Sequence, residues 1–406
     1  MDFVLSELTE QVLAARGAEK PLVIRGGGTK QFYGEPKGRL GLPGALVLDM
    51  TAYQGIVNYH PSELVVTVKA GTLLSDLEKV LDEQGQMLAF EPPRFGPAST
   101  VGGCVAAGLS GPRRMAAGSL RDFILGARLL DSSGAVLAFG GEVMKNVAGY
   151  DVSRLLAGSL GIYGALVDIS IKVAPKPFVE QTRIFQVEQA QALALFNQWR
   201  SQPVPISATS WSDHAGQGVL HVRLSGSDSA VDAGARRLGG QALPETEAAD
   251  WWNGLRDQTH PFFSQRPIWR IAVPPTAPDL KLGATLVEWN GAQRWVAAEL
   301  DPVALRSRVS HLGGHATFYR AAQGVPGVAD PVLHAASSDA SNAAAVAAAR
   351  SGSAENASAE TTDHVAVADI PFFQPLSPVL RTLNWRLKQE LDPVGLFNPK
   401  RLFPDF

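Results

Sequence analysis

Apolar side chains recur at near-helical spacing at Phe3, Val4, Leu8, Val12 and Ala15 before Gly17 stops the pattern, which predicts an amphipathic helix over 2–16. The apolar run Leu22-Val23-Ile24 predicts a strand that leads straight into Arg25-Gly26-Gly27-Gly28-Thr29-Lys30. Further strands are expected at 46–49 and 64–68. Behind the second, Leu73, Leu74, Leu77, Val80 and Leu81 share one face of a helix, with Thr72 placed to cap its start and Gly85 to end it. A hairpin is expected next, 123–130 and 135–139 joined by Asp131-Ser132-Ser133-Gly134. Over 165–173, Ala165, Val167, Ile169, Ile171 and Val173 alternate with Asp168, Ser170 and Lys172, the pattern of a half-buried strand. Pro175 and Pro177 break it and set a domain boundary at 177.

Beyond 178, strand-like stretches at 182–187, 219–224, 294–298 and 316–319 alternate with helical ones at 189–199 and 229–238. This predicts a second, α+β domain on an antiparallel sheet over 178–325. No aromatic residue occurs between Tyr319 and Phe372, and the stretch between them is rich in Ala, Ser, Asp and Asn. Ordering such residues costs about 1–2 kcal/mol each in backbone entropy, which small side chains do not offset. The segment 326–368 is therefore expected to be a mobile loop, within which 343–349 is too short for an independent helix. A final helix at 379–391 and the tail, together 369–406, are expected to pack back on the first domain.

A length of 406 residues suits two domains of roughly 100–200 residues each. Lys+Arg 36 against Asp+Glu 39 leaves a net charge of -3, so there is no basic field for nucleic acid. The single cysteine, Cys104, excludes an intramolecular disulfide and a cysteine-ligated cluster within the chain, and it suits the reducing cytoplasm. No apolar run approaches the roughly 20 residues that span a bilayer, and Asp2, Glu7 and Glu10 stand where a signal peptide is basic. Membrane association is expected only through partners.

Three glycine-rich stretches carry the chemistry: Gly26-Gly27-Gly28, Gly102-Gly103 and 158–164. Glycine lets backbone N–H groups approach a phosphate closely and adopt positive φ, so such loops form anion nests. Any one of them alone is equally well a tight turn. No G-x-G-x-x-G, G-x-x-x-x-G-K-[ST] or G-x-S-x-G occurs, so a Rossmann site, a P-loop and a nucleophile elbow lack support.

In order along the chain, Arg25-Gly26-Gly27-Gly28-Thr29, Val68-Lys69-Ala70-Gly71-Thr72, Ser99-Thr100-Val101-Gly102-Gly103 and Ser110-Gly111-Pro112-Arg113-Arg114 resemble the FAD domain of the vanillyl-alcohol oxidase/p-cresol methylhydroxylase superfamily. The run 143–151 and the stretch 158–164 are similar to one branch, the smaller flavin subunits of bacterial glycolate oxidases. The resemblance implies an α+β fold, a two-part FAD-binding domain of the p-cresol methylhydroxylase type followed by a cap domain. It implies that Arg25, Gly26, Gly27, Gly28, Thr29 and Lys30 form the pyrophosphate loop. Thr100, Gly102 and Gly103 are then expected beside the flavin and its phosphates, with Ser110, Gly111, Gly118 and Asp122 on the flavin side. Tyr150, Asp151, Gly161 and Gly164 are expected to complete the pocket, and Lys145 is either a phosphate partner or a solvated surface lysine.

Covalent attachment in this superfamily uses His, Cys or Tyr near these loops. The first loop carries Thr29 and Lys30 instead, so non-covalent FAD is expected, and Cys104 among Val105, Ala106 and Ala107 reads as a buried small residue. Catalytic relatives carry a histidine cluster around an H-x-G-D-G-N stretch, which this chain lacks. His311 and His315 flank Gly313-Gly314, which favours a turn over a metal-binding pair, so no metal site is expected. His315, Arg320 and Arg114 are the candidates for substrate contact, and Arg94 and Arg113 read as structural or surface arginines as readily. The expected function is that of an FAD-binding subunit in a 2-hydroxy-acid (glycolate) dehydrogenase complex. Its partners are then a larger FAD-containing subunit and an iron–sulfur subunit, since one cysteine holds no cluster. A structural subunit without cofactor and a stand-alone FAD-dependent alcohol oxidase remain the alternatives.

Overall fold

The computed structural model describes residues 3–39, 42–142, 151–214, 216–321 and 371–406. The segment expected to be a loop at 326–368 lies outside them, as do Lys145 and Tyr150. The first helix, Phe3–Gly17, buries Leu5, Leu8, Val12 and Ala15, while Phe3 is 74% exposed. The buried row follows i, i+3, i+7, i+10, so Leu5 takes the core position that sequence spacing assigned to Phe3. That row packs on Leu22 of β1 (Leu22–Arg25) and Leu48 of β2 (Leu46–Asp49), which pair in parallel.

Next comes a five-stranded antiparallel sheet. It contains β3 (Ile56–His60) and β4 (Val65–Lys69), then, after the short β5 (Gln86–Met87), β6 (Ile124–Leu130), β7 (Val136–Gly140) and β8 (Ala165–Lys172). The order is β3-β4-β8-β6-β7, so β8 is central, and it is buried from Ala165 to Ile171 rather than on one face. Its polar positions are satisfied inside. The Asp168 carboxylate accepts from Arg128 at 2.6 Å and from the Tyr53 hydroxyl at 3.1 Å, and Ser170 shares a hydrogen bond with Thr67. Pairing of this kind is what makes a buried carboxylate tolerable. The hairpin β6–β7 forms at the expected turn. Thr72 does not cap the helix Leu74–Asp82; its hydroxyl accepts from the Gly55 N–H at 2.8 Å and Leu73 is the cap residue.

After β9 (Ala174–Pro175), the chain builds an eight-stranded sheet from β10 (Val179–Gln186), β11 (Ile206–His214), β12 (Gln217–Gly226), β13 (Gln241–Leu243), β14 (Ile268–Ala272), β15 (Ala284–Glu288), β16 (Gln293–Ala297) and β17 (His315–Arg320). Its order is β13-β10-β12-β11-β15-β16-β14-β17, every pair antiparallel. One face is apolar: Trp211, Leu220, Val222 and Leu224 pack with the helices Gln189–Arg200 and Asp228–Leu238, and Trp269 and Ile271 pack with Leu305 and Val309. The other is polar. Register places Arg270 opposite Trp295 and Thr317, Ala272 opposite Gln293 and His315, and Glu288 opposite Gln293 and Ser210. Since side chains alternate along a strand, all these residues share one face. It turns toward the first sheet's loops: Trp289 Nε1 donates to the Gly111 carbonyl at 3.0 Å, and Arg223 pairs with Glu91 at 2.8 Å.

Candidate functional site

Where β1 ends, a cavity of about 340 Å³ opens, lined by the whole 25–30 loop, Thr100, Gly102, Gly103, Gly161 and Gly164. These expected residues, distant in sequence, are thus brought together. Sequence reasoning missed Met50, Ala106, Asn398 and Arg401, which also line it. Asn398 had a visible signal, the Asn-Pro step near the chain end, but nothing local ties it to a loop near residue 25. In the structure its side chain accepts from the Ile24 N–H at 2.8 Å and donates to the Leu160 carbonyl at 2.7 Å, clamping two cavity walls.

The glycines fall into two kinds. A Cβ on Gly27 would overlap the Ala98 carbonyl and one on Gly26 the Thr100 hydroxyl, while one on Gly102 would lie 2.7 Å from the Ala70 Cβ. These three allow segments of backbone to touch. Gly28 has φ +71, and a Cβ there would make only ordinary contact with the Gln31 side chain at 3.6 Å, so it supplies a backbone conformation that other residues adopt only with strain.

Charge at the cavity comes from a few side chains. Arg25 pairs with Asp49 at 2.9 Å, and the Arg401 guanidinium donates to the Gln31 carbonyl at 3.0 Å. Lys30 Nζ donates to Ser99 Oγ at 2.7 Å and to the Arg94 carbonyl at 3.3 Å. Burial lowers the Lys30 pKa, an effect that Cys104 and Asp257 partly oppose. Cys104 is itself buried, and burial pushes its thiol up to about 12, which keeps it a neutral packing residue as expected.

The remaining expected residues lie elsewhere. Ser110 Oγ accepts from the Leu120 N–H, Gly111 abuts Glu91, and Gly118 and Asp122 flank the Ser119 capping box; none lines the cavity. Asp151 caps the helix Val152–Leu156 and pairs with Arg154. Arg113 is bound to Glu91 and Glu180, and Arg94 to Glu78. Burial alone would raise the Glu91 carboxyl, but Arg223 and Arg113 outweigh it and hold it below the ordinary range. Arg320 points into the core and donates to the Phe263 carbonyl and to Gln258, which is a structural role. The His311 ring meets the Ser307 carbonyl at 2.7 Å on its own helix, whereas His315 is exposed at the start of β17. Arg114 lies on the Trp289 ring, on the polar sheet face.

Comparison with known proteins agrees with this architecture. Residues 5–140 match the family model described as FAD binding domain. Alkyldihydroxyacetonephosphate synthase superimposes over 98% of this chain and 76% of its own, with a TM-score of 0.62 at 14% identity, a likeness of fold. Glycolate oxidase subunit GlcD of Bacillus subtilis is 30% identical over 174 residues, 43% of this chain and 36% of that protein. Glycolate oxidase subunit GlcE of Escherichia coli is 38% identical over 400 residues, 98% of this chain and 97% of its own. The chain therefore carries an FAD-binding domain in its N-terminal part and belongs to the glycolate oxidase subunit GlcE family.

Proposed function

We propose that this chain is the FAD-binding subunit of a glycolate oxidase complex, contributing to the oxidation of glycolate to glyoxylate and acting from the cytoplasmic side. The observation that carries this is a single cavity walled by the 25–30 loop, Gly102-Gly103 and Gly161 in a chain of this family. FAD bound there supplies the two-electron acceptor for oxidation of a CH–OH group. The residues fit such a group. Backbone from 26–28 offers donors at close range, while the Gly102 and Gly103 N–H groups are held by the Ala70 carbonyl and Thr100 Oγ and shape the wall, and Arg25, Lys30 and Arg401 bring positive charge to a pyrophosphate. No His, Cys or Tyr is among the described residues lining the cavity, which supports non-covalent retention.

The partners are a larger FAD-containing subunit and an iron–sulfur subunit, to which electrons pass and through which any membrane association is made; among the described residues no helix is long and apolar enough to cross a membrane. The visible spectrum of the purified chain before and after acid precipitation tests the cofactor assignment. A yellow protein that releases its colour is expected, and a colourless protein that takes up no added FAD overturns it.

A further inference from the structure

The polar face of the eight-stranded sheet holds a constellation separate from the glycine-lined cavity. Arg114 and Arg270 both lie against the Trp289 indole, their guanidinium carbons 4.4 and 5.5 Å from the ring centroid. Arg270 also donates to Gln293 Oε1 at 3.1 Å, and its charge opposes the rise that burial gives the Tyr33 pKa. Among the described residues neither guanidinium has an ion-pair partner, in contrast to Arg113, Arg223 and Arg256 nearby. His315 is on the same sheet face, one residue pair from Arg270. Desolvation, and after it the charges of Arg270 and Arg114, lower its pKa.

The acid on that face, Glu288, forms no ion pair with either guanidinium among the described residues. Glu288 is buried, its carboxylate accepting from Trp295 Nε1 at 2.6 Å, and burial pushes it up to about 7 against the pull of that bond and of Arg270. A half-buried pair of arginines without carboxylates is costly unless an anion completes it, and the fork of a guanidinium matches a carboxylate. The apolar ring beside them suits a small organic acid over a hydrated inorganic ion.

We propose that this face is a binding site for a small carboxylic acid anion, with Arg270 and Arg114 holding the carboxylate, Trp289 forming the apolar wall and His315 at the mouth. The site rests on the function proposed above, whose substrate is a 2-hydroxy acid, and locates where on this chain such an acid is held. Arg270 was not singled out in the sequence, because nothing local in Ile268-Trp269-Arg270-Ile271 sets it apart from a surface arginine.

Calorimetric titration of the full chain with oxalate and glycolate tests this, with glycolamide as the neutral analogue. Saturable oxalate binding is expected, weakened about tenfold or more by Arg270→Gln and by Arg114→Gln, with Arg270→Lys keeping part of the affinity and glycolamide binding least. Flavin content is expected to stay unchanged in these variants. Absence of oxalate binding by the wild-type chain overturns the site, as does an affinity within twofold of wild type in the double variant. Should Arg270→Gln fail to fold, Arg114→Gln at its half-exposed position decides. Repeating the titration on flavin-free chain separates the two proposals, since a failure to retain FAD leaves the oxalate result standing or falling by itself.

Discussion

At Gly27 the next larger residue already has nowhere to go, because its Cβ would overlap the Ala98 carbonyl. Gly27→Val is therefore expected to displace the 25–30 loop and abolish FAD retention while the eight-stranded sheet stays folded, read as flavin content against far-ultraviolet circular dichroism. Gly102→Val acts similarly through Ala70. The importance of these glycines was legible in the sequence, but its reason was not: the sequence suggests room for phosphate, whereas at Gly26, Gly27 and Gly102 the room is taken by the protein's own backbone and side chains. Glu288 gives a second residue-level test. Its folded carboxyl, raised to about 7, binds a proton that the unfolded chain gives up near its ordinary value, so the folded state holds more protons in that window. The stability this contributes is present below the unfolded pKa and lost as pH rises through about 7. Glu288→Gln has no such proton to lose. Its melting temperature relative to wild type is expected to rise from pH 5 to pH 8, and a pH-independent difference would count against the buried acid.

Among elements, those with an unbroken local pattern were readable: the first helix, β1, β2, the β6–β7 hairpin and the helix Pro378–Leu391 all appear close to where periodicity puts them. β3, β11 and β14 were not, because Asn58, Ser210, Ser212 and Arg270 interrupt their apolar runs, and the partners of Asn58, Ser210 and Arg270 (Glu142, Trp251 and Gln293) are distant in sequence. The same cause hid the burial of β8, where Asp168 looks solvated until Arg128 and Tyr53 are placed beside it. In the last turn of the helix Pro378–Leu391, Lys388 is buried and donates to the Asp392 carboxylate and to the carbonyls of Ile162 and Phe397. Asp392 in turn accepts from the Leu396 and Phe397 N–H groups at 2.9 Å. Asp392→Ala strands a buried ammonium and releases the turn that carries Asn398 to the cavity. A loss of about 3–5 kcal/mol in denaturant unfolding is expected, together with weaker FAD retention. Asn398→Ala removes only the clamp, so it is expected to weaken FAD retention with a smaller stability loss, about 1 kcal/mol per hydrogen bond.

For the molecule as a whole, two sheets with a seam of apolar and polar contacts between them set what the chain does alone. The cavity belongs to the first sheet and its loops, while the arginine pair belongs to the seam. Purified by itself, the chain is expected to hold FAD yet turn over glycolate poorly with an artificial electron acceptor, full activity appearing on addition of the larger flavin subunit and the iron–sulfur subunit. Full turnover by the lone chain would remove the dependence on partners. The Asn398 clamp carries a last consequence, for biosynthesis. The Ile24 amide and the side chain that accepts its hydrogen bond are 374 positions apart. On a ribosome that adds about 5–20 residues each second, that interval is roughly 20 to 75 s. The nascent N-terminal part therefore spends its whole translation with one wall of the cavity missing, and cofactor loading becomes a post-translational event gated by release of the last segment. Ribosome-stalled chains ending before residue 398 are expected to stay colourless in excess FAD, and chains released at full length to turn yellow.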